Sequence, residues 1–331
     1  MRPATSLFLP GISEPHHTLG GVRHLLIRPT ILALLLTLSS SAQPSFLQRD
    51  LDGNGRLTIS ESGLSEAEFN RLDESKNGEL SLGEFEEYWI RVTPEPDLRD
   101  APYAQDSKRQ VLDLYLPPRT EGQIPLLLWI HGGSWKEGSK NACPFQTLTQ
   151  NGIAVASLNY RFTDETRFPG QLTDCEKAID FLKKEAEARG FQFGPVTACG
   201  LSAGGHLSLM LADSGAVDTA IAFGAPVDLT PEEARDGYRE TLERFVGAPL
   251  NLEKLKAASP IHNLARSSAR YILVHGTEDR TVPYQQALQM TKALAQSNLN
   301  VELVLVPRGS HTVVGGPKIW DRIVTLLTDW L

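Results

Sequence analysis

The stretch VTACGLSAGGHLSLMLA, residues 196–212, decides the fold. It opens on a short apolar run, turns through Gly200-Leu-Ser-Ala-Gly204, and continues as an apolar helical pattern from His206 to Ala212. A strand that passes into a helix through small residues makes a sharp elbow. The small neighbours let a strained serine backbone project its hydroxyl above the end of a sheet. Gly-x-Ser-x-Gly alone is a weak signal; the strand before it and the helix after it give it weight. The helix amino terminus beneath the serine favours negative charge. Ser202 is therefore the candidate nucleophile, and the amide of Ala203 a candidate oxyanion donor.

Outward from the elbow, the chain alternates short apolar runs with amphipathic stretches. The runs 126–130, 153–158, 219–223, 271–275 and 301–306 are bounded by Gly or Pro, and Gln171–Arg189 and Pro283–Ser297 have helical spacing. Strands alternating with helices predict an α/β fold, a mostly parallel sheet covered by helices on both faces. Val111–Leu116 alternates more cleanly and is expected to pair antiparallel near an edge. Asp228–Ser259 is short and helical, which suits a small lid.

The run 126–130 ends in His131-Gly-Gly-Ser-Trp135. Glycines let backbone approach a substrate carbonyl closely, so the amides of Gly133 and Ser134 are further candidate oxyanion donors. His131 lies far upstream of the elbow and is expected to order this loop. A serine hydroxyl also needs a base, and the base needs an orienting carboxylate. In a hydrolase elbow fold these follow the serine, acid first. Of eight histidines only His311 follows Asp279, which itself sits on a loop at a strand end. Glu278 adjoins Asp279, and Asp228 follows the strand 219–223; both stay open as the acid. His206, His262, His275 and Tyr160 are read as structural, although the loop Asn159–Phe162 is placed where it can line an acyl pocket.

HGGSW at 131–135, GLSAGGHL at 200–207, SP at 259–260, HGTEDRTVP at 275–283 and GSH at 309–311 together carry a resemblance. From about residue 104 onward the chain resembles the α/β-hydrolase superfamily, especially the esterases that include feruloyl and acetylxylan esterases, and it is similar to kynurenine formamidase. The resemblance implies an α/β-hydrolase fold and Ser-His-Asp acyl transfer, with Ser202, His311 and Asp279 in the three roles. It favours acetyl or feruloyl esters of carbohydrate, and a small ester or esterified carbohydrate as the partner molecule. No cofactor is required for that chemistry. An amidase or peptidase using the same triad is the alternative within enzymes; a catalytically inactive calcium-dependent binding protein is the alternative outside them. Ser134 stands where the hormone-sensitive-lipase pattern has a third glycine.

The amino-terminal third reads differently. Residues 46–92 hold eleven acidic against five basic residues, a net of −6 out of −8 for the whole chain. Within this block Asp50, Asp52, Asn54, Arg56, Thr58 and Glu61 occupy positions 1, 3, 5, 7, 9 and 12 of an EF-hand loop, with Gly55 at the bend. Asp73, Ser75, Asn77, Glu79, Ser81 and Glu84 repeat the offsets 23 residues later. A hard cation wants several oxygens, and alternate residues of such a loop point inward while the last carboxylate supplies two. The block is thus expected to be a small α-helical EF-hand pair that binds structural Ca2+, with an affinity on the order of 10⁻⁴ to 10⁻³ M.

Thr93-Pro-Glu-Pro-Asp97 makes 93–98 a linker, leaving 99–331 for the α/β domain. Ile31–Leu38 is a short apolar run behind Arg23 and Arg28 and ahead of Ser40-Ser41-Ala42. That order makes 1–42 a secretory signal peptide and the protein secreted or periplasmic, with translation starting near Val22 as one account of the long flank. The run is too short for a stable membrane span. The net charge of −8 argues against a nucleic-acid partner. Three cysteines, at 143, 175 and 199, exclude a disulfide scaffold and leave room for one bridge at most.

Overall fold

The computed structural model describes residues 56–312, apart from the stretches 63, 65, 74, 82–83, 85–93, 119–121, 233–236 and 265–266. The signal-peptide reading and the Asp50, Asp52 and Asn54 positions of the first loop lie outside the described residues.

Residues 56–84 carry two two-residue strands, β1 (Arg56–Leu57) and β2 (Leu80–Ser81), paired antiparallel with Leu57 opposite Leu80. Two short helices, α1 (Ile59–Ser62) and α2 (Glu66–Leu72), follow the first strand. Leu57, Leu64, Phe69, Leu72 and Leu80 make a small separate core. Between the two loops runs α2, with Leu64 before it and Asp73 after it.

The main sheet, among the described residues, has eight strands: β3 (Leu98–Pro102), β4 (Val111–Tyr115), β5 (Gln123–Ile130), β6 (Ala154–Leu158), β7 (Gln192–Leu201), β8 (Thr219–Phe223), β9 (Arg270–Gly276) and β10 (Asn300–Val306). Their spatial order is β10-β9-β8-β7-β5-β6-β4-β3. β3, β4 and β6 pair antiparallel, and every other neighbour pairs parallel. Leu98 belongs to β3, so the sheet begins one residue inside the stretch read as linker. The edge is β3, and the clean alternation of Val111–Tyr115 places it one strand further in.

Buried side chains divide by strand parity. Leu126, Leu128 and Ile130 join a core with α3 (Gly170–Ala188), α4 (Ala203–Ser214) and α7 (Gln285–Gln296), while Leu127 and Trp129 face Phe145, Leu148 and Ile153. Both faces of β5 are therefore covered, which is why it reads as a continuous apolar run. α3 buries Cys175, Ala178, Ile179, Leu182 and Ala186 at helical spacing; α4, apolar all round, is buried from Ala203 to Asp213. Two lid helices, α5 (Arg239–Val246) and α6 (Leu252–Ala257), fill the segment after β8; Asn251 caps α6 by accepting from the amides of Glu253 and Lys254. The three cysteines are free and buried. Among the described residues no helix is long and apolar enough to cross a membrane.

At the far end of α4, Asp213 is buried with Oδ1 accepting from Tyr271 Oη at 2.7 Å and Oδ2 without a partner among the described residues. Burial pushes its carboxyl up to about 7. The folded state thus holds this proton more tightly than the unfolded chain does. Its stabilising effect is complete below the ordinary carboxylate pKa and is lost as pH rises through about 7. Asp213→Asn is expected to melt above the wild type at pH 8, by on the order of 3 kcal/mol, and to show little advantage at pH 4. Thermal melts of both proteins across that range test this.

Candidate active site

The site is built where β5, β7 and α4 meet. β7 ends at Leu201 and α4 begins at Ala203, so Ser202 alone turns the chain, with φ 54° and ψ −117°. A β-carbon on Gly204 would stand 1.9 Å from the carbonyl oxygen of Ile130, and one on Gly200 would stand 2.3 Å from the Gly204 carbonyl carbon. Only glycine allows the helix to approach the strand ends this closely, and that approach forces the serine's strained backbone. The Ser202 amide donates to Phe223 O at 2.8 Å, fixing the elbow to β8.

The glycine loop after β5 lies beside it. A β-carbon on Gly132 would sit 3.4 Å from Ser202 Cβ. Gly133, Ser134 and Trp135 all take positive φ, at 109°, 51° and 56°. The Gly133 carbonyl accepts from the amides of Lys136 and Glu137. No described residue accepts a hydrogen bond from the amides of Gly133, Ser134 or Ala203, which leaves all three free as donors. His131 is buried; its Nδ1–H donates to Gly132 O at 2.7 Å and its ring stacks on Tyr160 at 4.5 Å. Burial holds its pKa down to about 4. Its bare Nε2 has no partner among the described residues. His131 is thus committed to the glycine loop and the Tyr160 ring. Tyr160 is fully buried and donates to His131 O at 3.1 Å, a structural role that leaves no face for a substrate.

Sequence reasoning missed what holds this loop from outside. The Arg109 guanidinium lies 3.3 Å above the Phe162 ring and donates to the carbonyls of Tyr160 and Gly138. On the other side Trp135 stacks on Phe245 of α5 at 3.9 Å, with His206 edge-on at 5.0 Å. His206 is fully buried and bonded to Ala258 O, and burial holds it to about 4.

Asp279 and His311 are brought together. His311 Nδ1 lies 2.7 Å from Asp279 Oδ2, and a carboxylate there accepts, so Nδ1 carries a ring proton. Asp279 Oδ1 accepts from the amides of Thr281 and Val282 at 2.8 and 2.9 Å. His275 Nε2 donates to Val282 O and stands 3.2 Å from Asp279 Oδ2, with burial holding its pKa low. The loop carrying His311 is zipped to the one carrying Asp279: Glu278 N donates to Gly309 O, and a β-carbon on Gly276 would stand 2.2 Å from Gly309 O. Asp228 is instead paired with His262 at 3.4 Å and with Thr230, and Glu278 makes no contact with His311.

Gly224 links the pair to the serine. It follows Phe223, which receives the Ser202 amide, and its absent β-carbon would stand 3.2 Å from both Asp279 Oδ2 and His311 Nδ1. The Ser202 hydroxyl itself makes no hydrogen bond to His311 or to any other described residue; such bonds commonly tighten only around a substrate. A cavity of about 590 Å³ opens at Ser202 and Ala203, lined also by Ser134, Trp135 and Arg280 to Pro283.

The second candidate site is the loop 73–84. Asp73 accepts from Ser75 Oγ and from the amides of Asn77 and Gly78, and Glu84 accepts from Ser75 N and from Ser81 N and Oγ. Ser75 thus joins the first and last carboxylates of the loop. Burial acts to raise the Glu84 carboxyl, but these hydrogen bonds outweigh it and hold it at about 2. In the first loop, Glu61 receives Thr58 N and Oγ1 in the same way, and Arg56 lies 3.7 Å from Glu79. No three acidic, His or Cys side chains converge among the described residues; the second loop offers two carboxylates, two hydroxyls, an amide and the Glu79 carbonyl.

A nucleophile elbow on a mostly parallel sheet, a glycine loop beside it and a His–Asp pair at the following strand ends define the α/β-hydrolase fold. Residues 112–294 match the BD-FAE family. They make up more than half of the chain, and the chain belongs to that family. Esterase LipC of Mycobacterium tuberculosis is 26% identical over 236 residues, 62% of this chain and 57% of that protein. The chain thus spans somewhat over half the length of that relative. A truncated carbohydrate esterase from gut microbiota superposes with a TM-score of 0.60 at 21% identity, covering 71% of this chain and 98% of that one. Esterase Est2 of Thermogutta terrifontis does so at 0.58 and 21%, covering 72% and 91%.

The close contact at Gly204 predicts that Gly204→Ala is destabilised by at least about 3 kcal/mol, because the new methyl meets backbone that cannot move aside. The expected fall in melting temperature is about 6 to 12 °C by circular dichroism.

Proposed function

We propose that this chain is a serine carboxylic-ester hydrolase acting by Ser-His-Asp acyl transfer. The observation that carries the reading is the 2.7 Å His311–Asp279 pair, which anchors the imidazole through Nδ1 and leaves Nε2 to serve as the base for Ser202. Membership of the BD-FAE family and the esterase names of its relatives support it.

Asp279 holds the imidazole proton at Nδ1, so Nε2 takes the proton of Ser202 Oγ as that oxygen attacks the ester carbonyl carbon. The carbonyl oxygen, now negative, lies against the amides of Gly133, Ser134 and Ala203, at the positive end of α4. The tetrahedral intermediate collapses, the ester C–O bond breaks, and the alcohol leaves with the proton from His311. Water then gives its proton to Nε2, attacks the acyl-serine and releases the acid, restoring Ser202. Acetyl or feruloyl esters of carbohydrate are the proposed substrates, a reading supported by the carbohydrate-esterase relative. The 31–38 apolar run and its flanks support export, which amino-terminal sequencing of the mature protein tests.

We also propose that the loop 73–84, with its partner 50–61, holds Ca2+. Asp73, Ser75, Asn77, the Glu79 carbonyl, Ser81 and Glu84 fit a hard cation: all are oxygen donors, Glu84 is already an acceptor at its low pKa, and the β1–β2 pairing holds both loops together. The ion would stabilise the module and takes no part in the acyl transfer.

Ser202→Ala is expected to lose at least about 10³-fold in kcat on 4-nitrophenyl acetate and to escape labelling by a fluorophosphonate. An activity within tenfold of wild type would remove Ser202 from the mechanism. In calorimetry on the full chain, millimolar Ca2+ is expected to give heat that Glu84→Gln together with Glu61→Gln abolishes, and chelation is expected to lower the melting temperature while kcat holds.

A further inference from the structure

The cavity over Ser202 has one wall that the acyl-transfer chemistry does not use. Arg280 follows Asp279 directly, and the backbone around it is pinned: Thr281 N and Val282 N donate to Asp279, and Tyr238 Oη donates to Thr281 O at 2.6 Å. Its side chain is exposed, lines the cavity, and makes no hydrogen bond or ion pair with a described residue. Asp228, the carboxylate on the same lining, is already engaged by Thr230 N, Thr230 Oγ1 and His262. Gln286 is also spent, its Oε1 accepting from Val227 N and Asp228 N. The exposed Gln285 and Gln289 on α7 line the same cavity. One rigidly based guanidinium thus faces the substrate space with its donors free.

A guanidinium presents a planar fork of N–H donors that matches a carboxylate, and it stays charged at every working pH. We propose that Arg280 forms an anion subsite and that the site favours esters bearing a carboxylate several bonds from the scissile carbonyl. This deepens the ester-hydrolase reading above and rests on it. The chain as a whole carries −8, so it offers an anionic substrate no long-range attraction. Selectivity for such an ester has to come from a local contact, which a cation inside the cavity supplies.

The test uses matched esters with the full chain. On the alcohol side, 4-acetoxybenzoate is compared with its methyl ester; on the acyl side, 4-nitrophenyl hemiglutarate is compared with 4-nitrophenyl valerate. In at least one pair the ratio of kcat/KM, charged over neutral, is expected to fall about 5- to 20-fold in Arg280→Gln and further in Arg280→Glu. The pair that responds tells whether the carboxylate belongs to the alcohol or to the acid. Ratios unchanged within twofold in both pairs, in variants that melt with the wild type, overturn the subsite. Calorimetric titration of Ser202→Ala with 4-hydroxybenzoate and with glutarate, repeated with Arg280→Gln added, reads binding on both sides without turnover. Hydrolysis of no ester by the wild type would sink the parent reading, and the calorimetric arm would still decide the subsite: affinity lost with Arg280 supports it, affinity unchanged removes it.

Discussion

The contact between Gly204 and the carbonyl of Ile130 sets the geometry of everything else at the site. It brings the first turn of α4 against the ends of β5 and β7, closer than any side chain permits. With the helix seated there, the chain has one residue in which to turn, and Ser202 accepts a φ of 54°. Such a conformation costs about 1 to 3 kcal/mol and persists only where the surroundings over-determine it. Here α4 is buried from Ala203 to Asp213, and Ser202 N is tied to Phe223 O, so release of the strain would expose an apolar helix. The same seating places Gly132 against the serine, so the glycine loop and the serine elbow share one cause.

A second constraint acts on that loop. Ser134 and Trp135, neither of them glycine, both sit at positive φ. What keeps them there is clamped from two sides: Arg109 and Tyr160 bind the loop's carbonyls and the His131 ring, and Phe245 of α5 stacks on Trp135. The helix α5 is therefore part of the glycine loop's support, and one aromatic pair ties the two together.

Much of the fold was legible because its signals are local. β5, β6, β8, β9 and β10 fall within a few residues of the apolar runs, and α3 and α7 within two of their periodic patterns. β3 was not legible: Leu98-Arg-Asp-Ala-Pro102 buries one residue in five and shifts register between Leu98 and Ala101, so no alternation marks it. The elbow and the His–Asp pair could be read from chain order, since only one histidine follows the last strand-end acid. The clamp on the oxyanion loop could not. Arg109 meets Phe162 and Gly138 across 53 and 29 positions of sequence, and nothing local distinguishes that arginine from a solvated one. Nor did composition point to Lys140, buried between Asp113 at 2.6 Å and Asp100 at 2.9 Å beneath the edge strands.

The histidines show how burial sorts residues that sequence treats alike. His131, His206 and His275 are all held low by burial, and each spends one ring nitrogen on a backbone carbonyl: Gly132, Ala258 and Val282. Protonating His131 or His206 would leave a buried charge with no carboxylate beside it among the groups that shift them. His311 differs in partner as well as in exposure: its ring proton meets a carboxylate, and its side chain keeps about a fifth of its surface open. In the acyl transfer proposed above, the imidazole gains and loses a proton in each cycle and needs an opposite charge on the far nitrogen to offset the positive state. Asp279 supplies that charge, and its own second oxygen is held by two backbone amides, so the carboxylate cannot swing to meet the proton. His275, although only 3.2 Å from the same oxygen, has its donor directed at Val282 and is fully enclosed. Two imidazoles thus lie against one carboxylate: the enclosed one is committed to a backbone carbonyl, while the other keeps part of its surface open.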